Sequence, residues 1–421
     1  MRRVVLIGAG ATVPFYSPPV TTAAITSWLL DSTRWVNLLD RHRQVLGDGN
    51  EIEDSELLAD LARFQSEHPT RTFEDLVEFL DRKAEWALDP RPGASIASDI
   101  FRFLNCPVVR GSSVWLDVPF LARQLIAEAL AFHDKNHRVC SFDVLKAKQR
   151  QLFAALVDGC ERLTIASLNY DETLPSSITG LPIETGFDGE DFNVKAFCRA
   201  PHVLMYPHGH VTFVPTSEGI RCLGDGDAAN EARLEGLGRN DGRTTMAIDS
   251  SASRDTYGFN TFLVSGVMKD GAFNKNPFSA YYQRLAGDLL DADEVLVLGY
   301  SFGDTHLNRL LSNFLDLRSE NQILIVDYLD PPIDVAAEYL KPGSFVNRVL
   351  HGLFKRSLPV RLGDGPPVYR LASKVVAINT IGRGWLYPRV FLCKSGYETF
   401  LTEHEEAIRT FSERDGHTER R

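Results

Sequence analysis

LTIASLNYDET, from Leu163 to Thr173, decides how the chain is read, because an apolar, β-favouring run passes straight into polar side chains. A run of this kind ending in Asn169-Tyr170-Asp171 predicts a buried parallel strand with an open carboxyl end, the place where open α/β sheets bind ligands. Asn169 and Asp171 are then expected at the mouth of a site. An Asx turn closing an ordinary core strand accounts for the same residues, so the decision passes to the other strands.

Residues 3–7, RVVLI, read as a strand running into Gly8-Ala9-Gly10-Ala11-Thr12, a small-residue turn where backbone can approach a phosphate. The full dinucleotide fingerprint is missing: Val13 stands where a third glycine would, Pro14 follows, and no acidic residue closes a second strand about twenty residues on. An ordinary dehydrogenase is therefore not expected. VPFYSPPV (13–20) reads as a Pro-rich aromatic loop able to close over a ligand or to serve as a stiff surface connection. A helix is predicted from Thr21 or Thr22, with Ile25, Trp28 and Leu29 on its apolar face.

Further strands are predicted at His202–Tyr206, ending in Pro207-His208-Gly209-His210; at Phe262–Val264; at Glu294–Leu298, entering Gly299-Tyr300-Ser301-Phe302-Gly303-Asp304; and at Gln322–Val326, ending in Asp327. Asp304 is placed to cap a helix carrying Leu307, Leu310, Leu311 and Phe314. A helix is also predicted near Ser279–Leu290, and the polar stretch from Thr216 to Asp255 reads as a long excursion. From about 32 to 158 the apolar spacing turns helical, with Leu57, Leu58, Leu61 and Phe64, then Leu76, Phe79 and Leu80 after a Thr72-x-x-Asp75 start, then Leu121, Leu125, Ala129 and Phe132. The acidic run Glu51–Glu56 and the basic group Lys146, Lys148 and Arg150 read as solvated helix faces. The expected fold is thus α/β and Rossmann-like, a mostly parallel sheet with helices on both faces. Residues 1–31 and 159–332 form the sheet domain, 32–158 a helical insertion and 333–421 a C-terminal extension.

A net charge of −11 argues against broad nucleic-acid binding, which depends on cations that neutralise phosphates. The six cysteines form no Cys-x-x-Cys pair, so neither a zinc ribbon nor a disulfide framework is signalled, and a reducing cytoplasm fits best. Pro14 cuts the apolar N-terminus too early for a signal peptide, and no apolar run is long enough to cross a bilayer.

Gly8-Ala-Gly10-Ala-Thr12, Leu168-Asn169-Tyr170-Asp171, His208-Gly209 and Leu298-Gly-Tyr-Ser301-Phe-Gly-Asp304-Thr-His306, in that order, resemble the sirtuin-like family. They are closer to its bacterial defence branch than to the protein deacylases. The resemblance implies NAD as ligand, with Asn169 and His208 at catalytic positions. It also implies a cofactor site lined by Gly8, Ala9, Gly10, Thr12, Asp171, Gly299, Ser301 and Asp327, and no metal. The four-cysteine zinc module of the deacylases is missing, which sets acyl-lysine chemistry aside. The implied role is NAD depletion in antiphage defence, through a homo-oligomer and with a HerA-type ATPase as a candidate partner.

The chemistry follows without the name. Cleaving nicotinamide from NAD builds an oxocarbenium-like ribose, while the cationic leaving group departs neutral and needs no acid. The site must hold the ribose and nicotinamide in a reactive pose, stabilise the cation and admit a water. Asn169 suits the ribose or the water, His208 a ribose hydroxyl or the water's proton, and Asp171 the cation or the Asn169 loop. His210 is a local alternative, and His306 is read as supporting the helix start. Two other readings remain: Gly299-x-Ser301-x-Gly303 spells a hydrolase nucleophile elbow, with Asp327 and His351 in order, and a nucleotide sensor would bind NAD without cleaving it.

Overall fold

An uninterrupted apolar run in a strand has no solvent face, and β1 (Arg2–Ile7) is built this way from Val4 onward: Val4 to Ile7 are at most 1% exposed. In the computed structural model, the residues described are 1–46, 54–68, 71–88, 118–189, 191–216, 219–222, 262–263, 276–318, 321–327, 348–349, 353, 368–370, 375–382, 385–393 and 396–412. The other strands are β2 (Arg162–Ser167), β3 (Phe187–Asp188), β4 (Asp191–Phe192), β5 (His202–Met205), β6 (Gly209–His210), β7 (Phe213–Thr216) and β8 (Gly219–Cys222), then β9 (Phe262–Leu263), β10 (Glu294–Leu298), β11 (Gln322–Val326), β12 (Val368–Arg370), β13 (Val375–Gly382) and β14 (Trp385–Cys393). The helices are α1 (Thr22–Leu29), α2 (Ser32–Leu46), α3 (Asp54–Glu67), α4 (Phe73–Leu88), α5 (Val118–Asn136) and α6 (Phe142–Gly159), then α7 (Thr173–Ile178), α8 (Val194–Arg199), α9 (Phe278–Asp291), α10 (Thr305–Leu317) and α11 (Gly396–Ser412).

The main sheet runs β12-β13-β14-β11-β10-β1-β2-β5, and its six strands from β14 to β5 are all parallel. From β1 the chain proceeds to β2 and β5; from β10 it proceeds the other way, to β11 and β14. The neighbours β1 and β10 therefore bound the topological switch point, the crevice where such sheets bind ligands. Helix α9 packs with α10 and against β1 and β2, while α6 packs with α11 and against β2. This is the Rossmann-like α/β architecture expected from the sequence.

Two segments read as additions share in that architecture. Helix α6, the last of the helical stretch, touches β2 and donates from Gln149 to Tyr397 Oη of α11 at 3.0 Å. The basic residues on it do more than face water: Lys148 donates to Thr402 Oγ1 at 2.9 Å, and Arg150 reaches the carbonyls of Ser177 and Thr179. Strand β14 extends the parallel sheet beside β11, and β13 and β12 add to it antiparallel.

Elsewhere the structure differs from the expectation. Phe262–Leu263 leaves the main sheet and pairs antiparallel with β6, a ribbon that covers the segment after His208. Two residues are too short to bury a face, and the apolar pattern alone could not say which sheet they join. The expected excursion begins as the β7–β8 hairpin. Residues 223–255, Val264, the Pro331-Pro332 break, His351 and the tail from Glu413 lie outside the described residues, as does Glu51–Glu53 of the acidic run. Phe132, expected in the core, is 37% exposed and lies against Trp28 with ring centroids 4.9 Å apart.

The start of α4 follows its sequence signature closely. Thr72 N and Oγ1 donate to Asp75 Oδ2 at 2.8 and 3.0 Å, while Asp75 N points back to Thr72 Oγ1 at 3.5 Å. Burial alone would raise the Asp75 carboxyl, but the Thr72 donors and Arg71 outweigh it and hold it below the usual carboxylate range. Because that value is depressed, the stabilisation is complete above the ordinary Asp range and is lost as pH falls through the lowered value. Asp75→Ala is expected to cost about 1 kcal/mol near neutral pH, and less in acid, in urea titrations.

Candidate active site

At the switch point two turns lock together. Gly8 N donates to Leu298 O at 2.9 Å and Gly10 N to Gly299 O at 2.8 Å. A Cβ on Gly8 would lie 2.7 Å from Gly299 O, and one on Gly10 would lie 2.8 Å from Gly299 Cα. These glycines are required by the approach of two backbones. After them the chain forms short 3-10 turns at Ala9–Ala11 and Val13–Phe15, in which Thr12 N donates to Ala9 O at 3.1 Å, and the first long helix waits until Thr22. The donors of Gly8, Gly10 and Thr12 are thus engaged within the protein, and exposed Ala9 carries the accessible part of the turn.

Asn169 sits next to this turn. Leu168 N donates to Ile7 O at 2.8 Å, extending the β1–β2 ladder, and Asn169 Nδ2 donates to Gly8 O at 3.1 Å. The side chain is 7% exposed and ties the end of β2 to the glycine turn. Asp171 closes an Asx turn by accepting from Thr173 N at 2.9 Å at the start of α7. The carboxyl is half-buried, and burial pushes it above the usual range despite the Thr173 N–H. Between them, Tyr170 is buried against Phe73 of α4 at a centroid distance of 6.4 Å, so a helix of the 32–158 segment covers this turn.

In the register of β2 and β5, Ala166 faces Met205, and Asn169 and His208 each lie three residues further along the chain, beyond the carboxyl ends of these neighbouring strands. Neighbouring strands are spaced by about 4.8 Å, so the topology brings the two residues to one edge. His208 is 5% exposed, and its Nε2 lies 2.9 Å from Asp304 Oδ2. This contact joins the end of β5 to the N-terminus of α10, across the ends of β2 and β1. Asp304 also caps α10, accepting at Oδ1 from His306 N at 2.8 Å and Leu307 N at 3.2 Å. Its own N donates to Tyr300 Oη at 3.0 Å, and burial, then Asp304, push the Tyr300 phenol upward. The cap was legible in the sequence; the imidazole partner was not, since it depends on a contact between residues ninety-six positions apart.

His210 and His306 are placed differently. Both ring nitrogens of His210 meet local groups, Nδ1 with Thr212 Oγ1 at 2.8 Å and Nε2 with Asp171 O at 3.0 Å, and Val211 N donates to Tyr170 O at 3.0 Å. His210 thereby holds the Asp171 turn in place. His306 is exposed at the start of α10.

On the far side of the crevice Ser301 is exposed, and Asp327 is half-buried at the end of β11, one strand beyond β10. Asp327 N donates to Cys393 O at 3.1 Å and its carbonyl accepts from Gly396 N at 3.2 Å, which links it to β14 and α11. A nucleophile elbow carries its serine at the strained point of the turn. Here the positive φ values fall on Gly299 (61°) and Phe302 (58°), on either side of Ser301. The loop after the glycines is anchored rather than free to close: Phe15 and Tyr16 are buried, Ser17 N donates to His137 O at 2.8 Å, and Val139 N donates to Phe15 O at 3.0 Å. Among the described residues no helix is long and apolar enough to cross a membrane.

No protein-family model matches the chain, and no curated protein is significantly similar to it.

Proposed function

We propose that the chain is a sirtuin-like NAD glycohydrolase, cleaving the nicotinamide N-glycosidic bond with water to give nicotinamide, ADP-ribose and a proton. The observation that carries this reading is the shared edge at which Asn169 is fixed to the glycine turn and His208 is fixed by Asp304. In this reading the dinucleotide lies along the switch point. Ala9, Gly10 and Ser301 flank the phosphates and Asp171 faces the nicotinamide ribose. Gly8, Thr12 and Gly299 shape the crevice, and Asp327 lies at its outer end.

As nicotinamide leaves, the ribose gains positive charge that the carboxylate of Asp171 opposes, and water adds at the anomeric carbon. With Nε2–H donated to an ionised Asp304, Nδ1 is the lone-pair nitrogen of His208 and takes the proton of the attacking water. Asn169 orients the water or a ribose hydroxyl through its amide. The reading extends to a cytoplasmic homo-oligomer that depletes NAD in antiphage defence, with activation by a partner such as a HerA-type ATPase.

Purified protein, alone and with the product of its neighbouring gene, is to be incubated with NAD while nicotinamide and ADP-ribose are followed. Stoichiometric release supports the proposal; tight NAD binding without release under activating conditions replaces it with a sensor. Asp304→Asn separates the two duties of that residue, because Asn caps helices as well as Asp does. Its unfolding free energy is expected to stay within about 1 kcal/mol of wild type, while kcat for nicotinamide release falls at least about tenfold through loss of the oriented imidazole.

A further inference from the structure

Tyr16, in the loop after the glycine turn, is 4% exposed, yet its hydroxyl has two polar neighbours from distant parts of the chain. It lies 2.9 Å from Asp134 Oδ1 on α5 and 2.9 Å from Thr173 Oγ1 on α7. A phenol has one proton. An ionised Asp134 can only accept it, so the Thr173 hydroxyl donates to the phenol oxygen. Thr173 N in turn donates to Asp171 Oδ1 at 2.9 Å. At the outer end Arg138 donates to Asp134 Oδ1 and Oδ2 at 3.1 and 2.6 Å, with its guanidinium 4.6 Å above the Phe142 ring. Arg138, Asp134, Tyr16, Thr173 and Asp171 thus form one connected path from the protein surface to the candidate site.

Packing alone does not require the hydroxyl. The ring of Tyr16 lies among aromatic neighbours, 6.1 Å from Phe142, which also meets Phe15 at 5.7 Å, and phenylalanine would fill the same space. We infer that Tyr16 is a positioning residue: its hydroxyl couples helix α5 to the Asp171 turn and thereby fixes the carboxylate that faces the reacting ribose. Burial, then the charges of Asp171 and Asp134, push the phenol well above its ordinary range, so it stays a donor throughout the physiological range and works by geometry rather than proton transfer. A displacement of α5, such as a partner or a second copy could impose, would reach the site along this path.

The inference rests on the NAD reading of the site, and a double-mutant cycle keeps the two separable. Tyr16→Phe and Asp134→Asn, singly and together, are to be compared with wild type for nicotinamide release and, by calorimetry, for NAD affinity. Each single variant is expected to lower kcat by about tenfold with KM for NAD changed less than about threefold, and the double variant to fall no further. A residue that only stabilised the fold would shift the melting temperature and leave kcat intact. Wild-type kcat in Tyr16→Phe, or losses that multiply in the double variant, would overturn the coupling. If wild type binds NAD but releases no nicotinamide, the hydrolase reading fails and hydrogen exchange of the Thr173 amide, which is bonded to Asp171, becomes the readout: faster exchange in each single variant that is no faster in the double upholds the coupling, and unchanged exchange overturns it. Absence of NAD binding by wild type overturns both.

Discussion

His208→Ala is expected to reduce nicotinamide release by at least about a hundredfold, the usual contribution of a positioned acid–base group. The fold should survive, because the carboxylate left behind keeps its other bonds: Asp304 still accepts from His306 N and Leu307 N at the start of α10. The stability cost is about 1–3 kcal/mol, from a buried carboxylate oxygen that loses its partner. Asn169→Ala should match the catalytic loss while removing a different contact, the bond from Nδ2 to Gly8 O at 3.1 Å. His210→Ala provides the contrast. Its ring holds Asp171 O and Thr212 Oγ1, so stability is expected to suffer together with activity. Steady-state kinetics with urea titrations on all three variants distinguish these cases, and retained turnover in both His208→Ala and Asn169→Ala would remove them from the chemistry.

The second large effect is structural. Gly299 has φ 61°, and a Cβ there would lie 2.2 Å from Ala11 N and 2.4 Å from Gly10 C. Those atoms belong to the backbone of the glycine turn, so no flexible side chain can yield. Left-handed backbone costs an alanine about 1 kcal/mol, and separating the two turns would break the bond from Gly10 N to Gly299 O, so Gly299→Ala is expected to lose about 4 kcal/mol or more. Gly303→Ala is the control four residues along. Its Cβ would meet Ser301 Oγ at 3.6 Å, an ordinary contact, and its cost should stay within about 1 kcal/mol. Urea midpoints for the pair test the claim directly; similar losses in both would mean that the turns are not locked as described.

The parallel strands could be read from the sequence because burial on both faces leaves a simple trace: β10 and β11 end where their apolar runs do and begin one polar residue before them. Helix starts were equally local, as the Thr21 cap of α1 and the Thr72–Asp75 pair at α4 demonstrate. What the sequence could not carry was contact between distant residues. Asp304 reads as a cap because its next three residues say so, and nothing near it announces His208. Gly8 and Gly10 read as a phosphate cradle because glycine permits close approach; that the close approach is made by Gly299 requires knowing that β10 lies beside β1. Tyr16 reads as part of a loop because its two partners come from α5 and α7. In each case the partner lies on a distant element, and only the fold brings the two together.

The position of the bound dinucleotide is the most direct test of the proposed site. His208→Ala, which should bind NAD without consuming it, is to be crystallised with NAD. The nicotinamide ribose is expected beside Asn169 and Asp171 at the ends of β1 and β2, with the diphosphate along the turn formed by Ala9, Gly10 and Ser301. NAD bound elsewhere on the protein, or with its nicotinamide ribose remote from Asn169, would contradict it.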